Sequence, residues 1–140
     1  MEPPVVVILN SNDDVVEMLR LAIEQAHLVA VSASLSAIRR GQQRLTDLVL
    51  EHDPQVIVYD LAPPYDRSWR FLEHLRRSPH LHGRNFIVTS ANAQRARTIV
   101  ADAVHVFEIA GRPTDIRDVV NAILRVVGLG EDLPPEARHV

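Results

Sequence analysis

Val5 to Leu9 and Val56 to Tyr59 are unbroken apolar runs, with no polar residue at alternate positions. A strand that faces water on one side alternates apolar and polar residues, whereas one without alternation is buried on both faces. Phe86 to Val88 repeats the pattern, and Leu28 to Ala33 does so with one serine. Val104 to Ile109 is a fifth run, interrupted by His105 and Glu108. Apolar residues between the runs recur at helical spacing. Strands of this kind separated by helices have one compact arrangement, a parallel sheet covered by helices on both faces.

The helical segments carry their own punctuation. Val15, Met18, Leu19, Ala22, Ile23 and Ala26 recur at three- and four-residue intervals, and Asp14 with Glu17 has the spacing of a capping box. A second helix is expected from about Ser36 to His52, with Ile38, Leu45, Leu48 and Val49 inward and Gly41 as its weak point. A third follows the loop Leu61 to Arg67 and turns Trp69 or Phe71, Leu72 and Leu75 inward. Ser78 to Arg84 reads as a turn. A short alanine-rich helix is expected over Ala93 to Ala101, and a final one behind Thr114 as its cap, stopped by Gly128 and Gly130. Residues 1–130 form one domain in this reading, and 131–140, with Pro134 and Pro135, a disordered tail.

Composition narrows the class. A chain of 140 residues, 46% hydrophobic and 24% charged, can bury one core. No apolar run approaches the roughly 18 residues of a membrane span, and no basic segment precedes an apolar stretch at the start, so a cytoplasmic protein without membrane contact is expected. The absence of cysteine excludes disulfides and thiolate metal sites. A net charge of -3, with no arginine cluster interleaved with aromatics, argues against nucleic-acid binding. All 15 basic residues are arginine, which reads as a compositional bias.

Asp60 is the residue out of place. It ends the third apolar run, where a carboxylate is costly to desolvate unless something stabilises it. In an open parallel sheet, ligands gather beyond the carboxyl ends of the strands, near the point where strand order reverses. With a flavodoxin-like order of 2-1-3-4-5, Asp60 sits there beside Asn10 and Ser11, Ser90, and Arg112 before Pro113. Other candidates have plainer explanations. His80 and His82 lie on a turn without a third ligand, Arg39-Arg40 and Arg76-Arg77 are solvated basic pairs, and Trp69 is a packing residue. No glycine-rich phosphate loop, nucleophile-histidine pair or paired carboxylates can be read, so no catalytic residue is assigned and the chain is not expected to be an enzyme.

At this point the chain resembles the receiver domain of bacterial two-component response regulators, over about residues 5 to 127. Asp60 matches the family's phosphoacceptor, Pro64 the proline four residues on, Ser90-Ala91 the hydroxyl residue and its small neighbour, and Arg112-Pro113 the family's Lys-Pro. The resemblance implies a doubly wound five-stranded α/β fold and a signalling role. It also exposes departures. Asn10 and Ser11 stand where the family places an acidic pair that holds a divalent cation. Mg²⁺ depends on hard carboxylate oxygens, so an amide and a hydroxyl weaken binding severely. Arg112 replaces a compact lysine with a planar, forked cation. Ile109 falls where the family places a switch aromatic, and the Arg39 to Leu45 region is about five residues longer than usual.

The leading expectation is a stand-alone, divergent receiver that acts through protein contacts, with Mg²⁺-dependent phosphorylation impaired or absent and no cofactor. The alternative is a working member of a phosphorelay. There Asp60 accepts a phosphoryl group from a histidine kinase, Mg²⁺ is held by Asp60 and Asp13, Arg112 contacts the phosphate and Ser90 reports the change. Asp14 is a further candidate to replace the acidic pair. A second alternative is a flavodoxin-like domain that binds a small ligand at the same crevice. A kinase or effector protein is the expected partner. The contact surface implied is the alanine-rich helix, the fifth strand and the final helix, with a homodimer through the same face as another use of it. Asp60 itself is expected to be partly buried and bonded to Arg112 or to amides of the Leu61 to Pro64 loop. Pairing with Arg112 would hold its carboxyl below the usual range.

Overall fold

The computed structural model describes residues 3–100 and 107–128. Five strands lie in one sheet: β1 (Val5–Asn10), β2 (Val29–Ser34), β3 (Val56–Asp60), β4 (Asn85–Thr89) and β5 (Phe107–Gly111). Every neighbouring pair is parallel, and the order is β2-β1-β3-β4-β5. The expected doubly wound order is therefore observed. The start of the fifth run at Val104, His105, Gly130 and the 131–140 tail lie outside the described residues.

The central strands are buried as their composition demands. Val6, Val7, Ile8 and Leu9 of β1 are completely buried, as are Val56, Ile57 and Tyr59 of β3 and Ile87 and Val88 of β4. Each large aliphatic side chain taken from water contributes about 1.5–3 kcal/mol. Val5, expected inside, is only half-buried, because it is the first residue of its strand. Alternate side chains enter two separate cores. Val6, Ile8, Val56, Val58 and Ile87 pack against α1 (Asp13–Gln25) and α6 (Ile116–Val126). Val7, Leu9, Ile57, Tyr59, Phe86 and Val88 face the other layer. That layer consists of α2 (Leu35–Arg39), α3 (Leu45–His52), α4 (Tyr65–Arg77) and α5 (Ala93–Val100).

Three local expectations are corrected. The helix expected over 36–52 is two helices, α2 and α3. Gly41 adopts φ 75° at the break, a left-handed conformation that an interior helical residue does not take. Leu35 and Ile38 anchor the first piece in the core, and Leu45 and Val49 the second. Helix α1 is capped by Asn12, not Asp14. Its Oδ1 accepts from the amides of Asp14 and Val15, at 3.0 and 3.2 Å. Glu17, cast as the reciprocal member of a capping box, instead accepts from Arg20. Thr114 is exposed and precedes the N-cap position of α6, which Asp115 occupies without a side-chain capping bond.

The cap assignment can be measured. Asn12→Ala should lower unfolding free energy by about 1 kcal/mol, and Asp14→Ala by no more than roughly 0.5 kcal/mol. Urea titrations of both variants against wild type make the comparison.

Candidate functional site

Asp60 is the last residue of β3, and the period of two sends its side chain to the face already taken by Val56 and Val58. In register beside it stands Thr89, the last residue of β4. Thr89 shares the face of Ile87 for the same reason. Two strand ends thus bring a carboxylate and a hydroxyl together, and Thr89 Oγ1 donates to Asp60 Oδ1 at 2.9 Å. One further backbone bond, from the Leu61 amide to the Thr89 carbonyl at 2.7 Å, holds the ends in place.

The electrostatics differ from the expectation. Asp60 is partly buried, as expected, but it makes no hydrogen bond or ion pair with Arg112 among the described residues. The Arg112 side chain is exposed. Nor do the loop amides serve Asp60: Leu61 donates to Thr89, and Ala62 to Ser68 Oγ at 3.4 Å. Burial pushes the Asp60 carboxyl above its ordinary value, and the Thr89 hydroxyl offsets this only in part. The expected downward shift is overturned because a neutral donor does less for an anion than a guanidinium, while partial burial still disfavours the charged form.

The positions that resemble cation-holding ones are occupied by groups with local partners. Asn10 is 6% exposed, and its Oδ1 accepts from the Asn12 amide at 2.8 Å, which shapes the β1–α1 loop. Ser11 Oγ bonds Ser36 Oγ at 2.9 Å and accepts from the Ser36 amide at 3.2 Å, tying that loop to α2. Asp13 and Asp14 are exposed in the first turn of α1, where the helix dipole favours carboxylates. Among the described residues, no group of three or more His, Cys, Asp or Glu side chains gathers to hold a metal ion. Ser90 is fully buried, and its Oγ accepts from the Asn92 amide at 3.2 Å, inside the β4–α5 turn. Its hydroxyl serves that turn, and Thr89 is the residue that touches Asp60. His80 and His82 are exposed on the turn after α4, and Trp69 is half-buried against the core.

A second polar group lies directly behind Asp60, on the other face of β3. The completely buried Tyr59 donates its hydroxyl to the Ser68 carbonyl at 2.9 Å and bonds Ser68 Oγ at 3.1 Å. Arg39 donates to Ser68 Oγ at 3.3 Å and to the Tyr59 hydroxyl at 3.4 Å, while its guanidinium lies 5.6 Å from the centre of the Phe71 ring. These contacts fasten α2 to α4 beneath the loop that follows Asp60. Sequence reading missed the cluster; its one signal was a tyrosine within an otherwise aliphatic strand, since a buried phenol requires a partner.

No protein-family model matches the sequence, and no curated protein matches it. Solved structures do resemble the fold. The Vibrio cholerae chemotaxis protein CheY4 aligns with a TM-score of 0.68 at 13% identity, over 89% of this chain and 98% of that one. The bacteriophytochrome response regulator AtBRR aligns at 0.66 and 16% identity, over 96% and 99%. The signal receiver domain of a DNA-binding response regulator from Colwellia psychrerythraea 34H gives 0.65 at 16%, over 89% and 98%. The chain has the receiver fold, reached through a divergent sequence. No helix among the described residues is long and apolar enough to cross a membrane.

The raised carboxyl has a measurable consequence. The unfolded carboxylate ionises near its ordinary value of 3.8, whereas folded Asp60 keeps its proton to higher pH. Between those values the native state binds the extra proton, so stability falls as pH rises through the window and stays lower above it. Asp60→Asn should therefore raise the melting midpoint at neutral pH by roughly 3 °C, on the order of 1 kcal/mol. The gain should vanish once pH falls below 3.8, where both states of the wild type are protonated. Thermal melts across that range are the measurement.

Proposed function

We propose that this receiver-fold chain signals through protein contacts, with Mg²⁺-dependent phosphorylation of Asp60 impaired or absent. One observation carries the reading. Asn10 and Ser11, at the positions where the receiver resemblance calls for carboxylates, use their side-chain oxygens in bonds within and beside their own loop. A magnesium ion gives up its waters reluctantly and needs charged oxygen ligands to do so. Asp60 supplies one carboxylate, already bonded to the Thr89 hydroxyl at 2.9 Å. The exposed, unpaired position of Arg112 with respect to Asp60 gives no preformed cation for an incoming phosphoryl oxygen. The small-ligand reading draws no support from the shallow depression lined by Asn92, Gln94, Arg95 and Thr98, which lies along α5 and not over Asp60.

Partner contact is proposed on the face formed by α5, β5 and α6. Arg117 and Asp118 are exposed at the start of α6, and Gln94, Arg95, Arg97 and Thr98 are exposed on α5. The partner class is a signalling protein, a kinase or an effector.

Incubation with acetyl phosphate and Mg²⁺, followed by intact-mass measurement, tests the reading. Wild type should gain no stoichiometric phosphoryl group, and calorimetry should detect no Mg²⁺ binding in the low-millimolar range. In the doubly substituted Asn10→Asp/Ser11→Asp protein, Mg²⁺ affinity should rise at least about tenfold, or roughly 1.4 kcal/mol. A stoichiometric gain in wild type that Asp60→Asn abolishes would instead make Asp60 a working phosphoacceptor.

A further inference from the structure

Two outward helix stripes carry opposite charge at the same spacing. On α4, Arg67, Arg70, His74 and Arg77 are all exposed and follow one another at intervals of three, four and three residues. On α1, Asp14, Glu17, Leu21 and Glu24 are exposed at the same intervals. Residues so spaced share one helix face, and each stripe runs about 15 Å at 1.5 Å per residue. Leu21, 49% exposed, and its neighbour Met18, 45% exposed, are large apolar side chains set among the carboxylates.

Contacts within the chain satisfy the two stripes only in part. Among the described residues, Arg67 and Arg70 form no ion pair, and Arg77 makes a single one to Glu73 at 3.8 Å. Asp14 has none, and Glu17 and Glu24 share one cation, Arg20. Helix stability does not explain Arg67, which sits in the first turn of α4, where the positive end of the dipole disfavours a cation. The two stripes cannot meet within one molecule, because α1 packs on one face of the sheet and α4 on the other.

We infer that α4 of one copy docks against α1 of a second copy, arginines against carboxylates, with Met18 and Leu21 buried at the centre. Different surfaces meet in this contact, so a pair still carries one free stripe of each kind, α1 on one copy and α4 on the other, and the association is open-ended. Two helices over about 15 Å make a contact at the small end of the range for protein pairs. Weak, salt-sensitive self-association follows. This surface is separate from the α5–β5–α6 face proposed above.

Sedimentation velocity of the full chain, over a concentration series in about 50 mM and about 500 mM NaCl, is the test. The weight-average sedimentation coefficient should rise with concentration at low salt and lose most of that rise at high salt. Arg67→Glu/Arg70→Glu and, separately, Leu21→Arg/Glu24→Arg should each abolish the rise. All four positions are exposed, and thermal melts establish that both variants fold. An equimolar mixture of the two variants should recover association, because one retains the acidic stripe and the other the basic one. Glu51→Arg, exposed on α3 and on neither stripe nor the α5–β5–α6 face, should leave the association unchanged. A monomer at every concentration, association that survives either double substitution, or a mixture of folded variants that stays monomeric would each overturn the inference.

Discussion

Burial of β1, β3 and β4 on both faces is the constraint from which the other features follow. A strand with helices on each side has no solvent-facing positions, so its interior residues must be apolar, and they are. Polar chemistry then moves to strand ends, turns and outer helix faces, with the buried Tyr59–Ser68 pair as the exception. Asp60 and Thr89 occupy two adjacent strand ends, and Asn10 occupies a third. The crevice is the one region where the sheet can present polar groups from several distant parts of the chain.

Within that crevice, hydrogen bonding and desolvation pull Asp60 in opposite directions. A guanidinium beside it would have settled the balance in favour of the anion. The hydroxyl of Thr89 leaves burial dominant. The neighbouring loop has a different use for its polar residues: Asn10 and Ser11 hold the backbone of β1–α1 and link it to α2. A site whose first duty is to keep its own loops in order has less to offer a cation. Behind the strand, Tyr59, Ser68 and Arg39 perform a similar fastening between α2 and α4.

Charge is segregated between the two helical layers. The acidic first turn and outer stripe of α1 lie on one side of the sheet, and the arginine stripe of α4 on the other. Neither distribution is visible in the net charge of -3. A modest net value conceals two faces of opposite sign, and faces of that kind govern encounter with a partner more than the total does.

Periodicity alone specified the fold class. Runs such as Val5 to Leu9 and Val56 to Tyr59 can be satisfied only by burial on both faces, and that requirement holds wherever the strands lie. Asp60 stood out on the same physical ground, as a carboxylate at the end of a run that excludes water. Local choices were less legible. Asn12 and Asp14 are both good capping residues two positions apart, and only the path of the chain out of β1 selects Asn12. Gly41 signalled weakness but not a complete break, because a break depends on whether both flanking segments can anchor in the core, as Leu35 and Ile38, and Leu45 and Val49, do. The partner of Asp60 was the least legible. The sequence pointed to Arg112 or the amides of the Leu61 to Pro64 loop, whereas the register of β3 against β4 places Thr89 alongside. Register is a relation between segments 29 residues apart; the packing of whole strands decides it, and no local pattern encodes it.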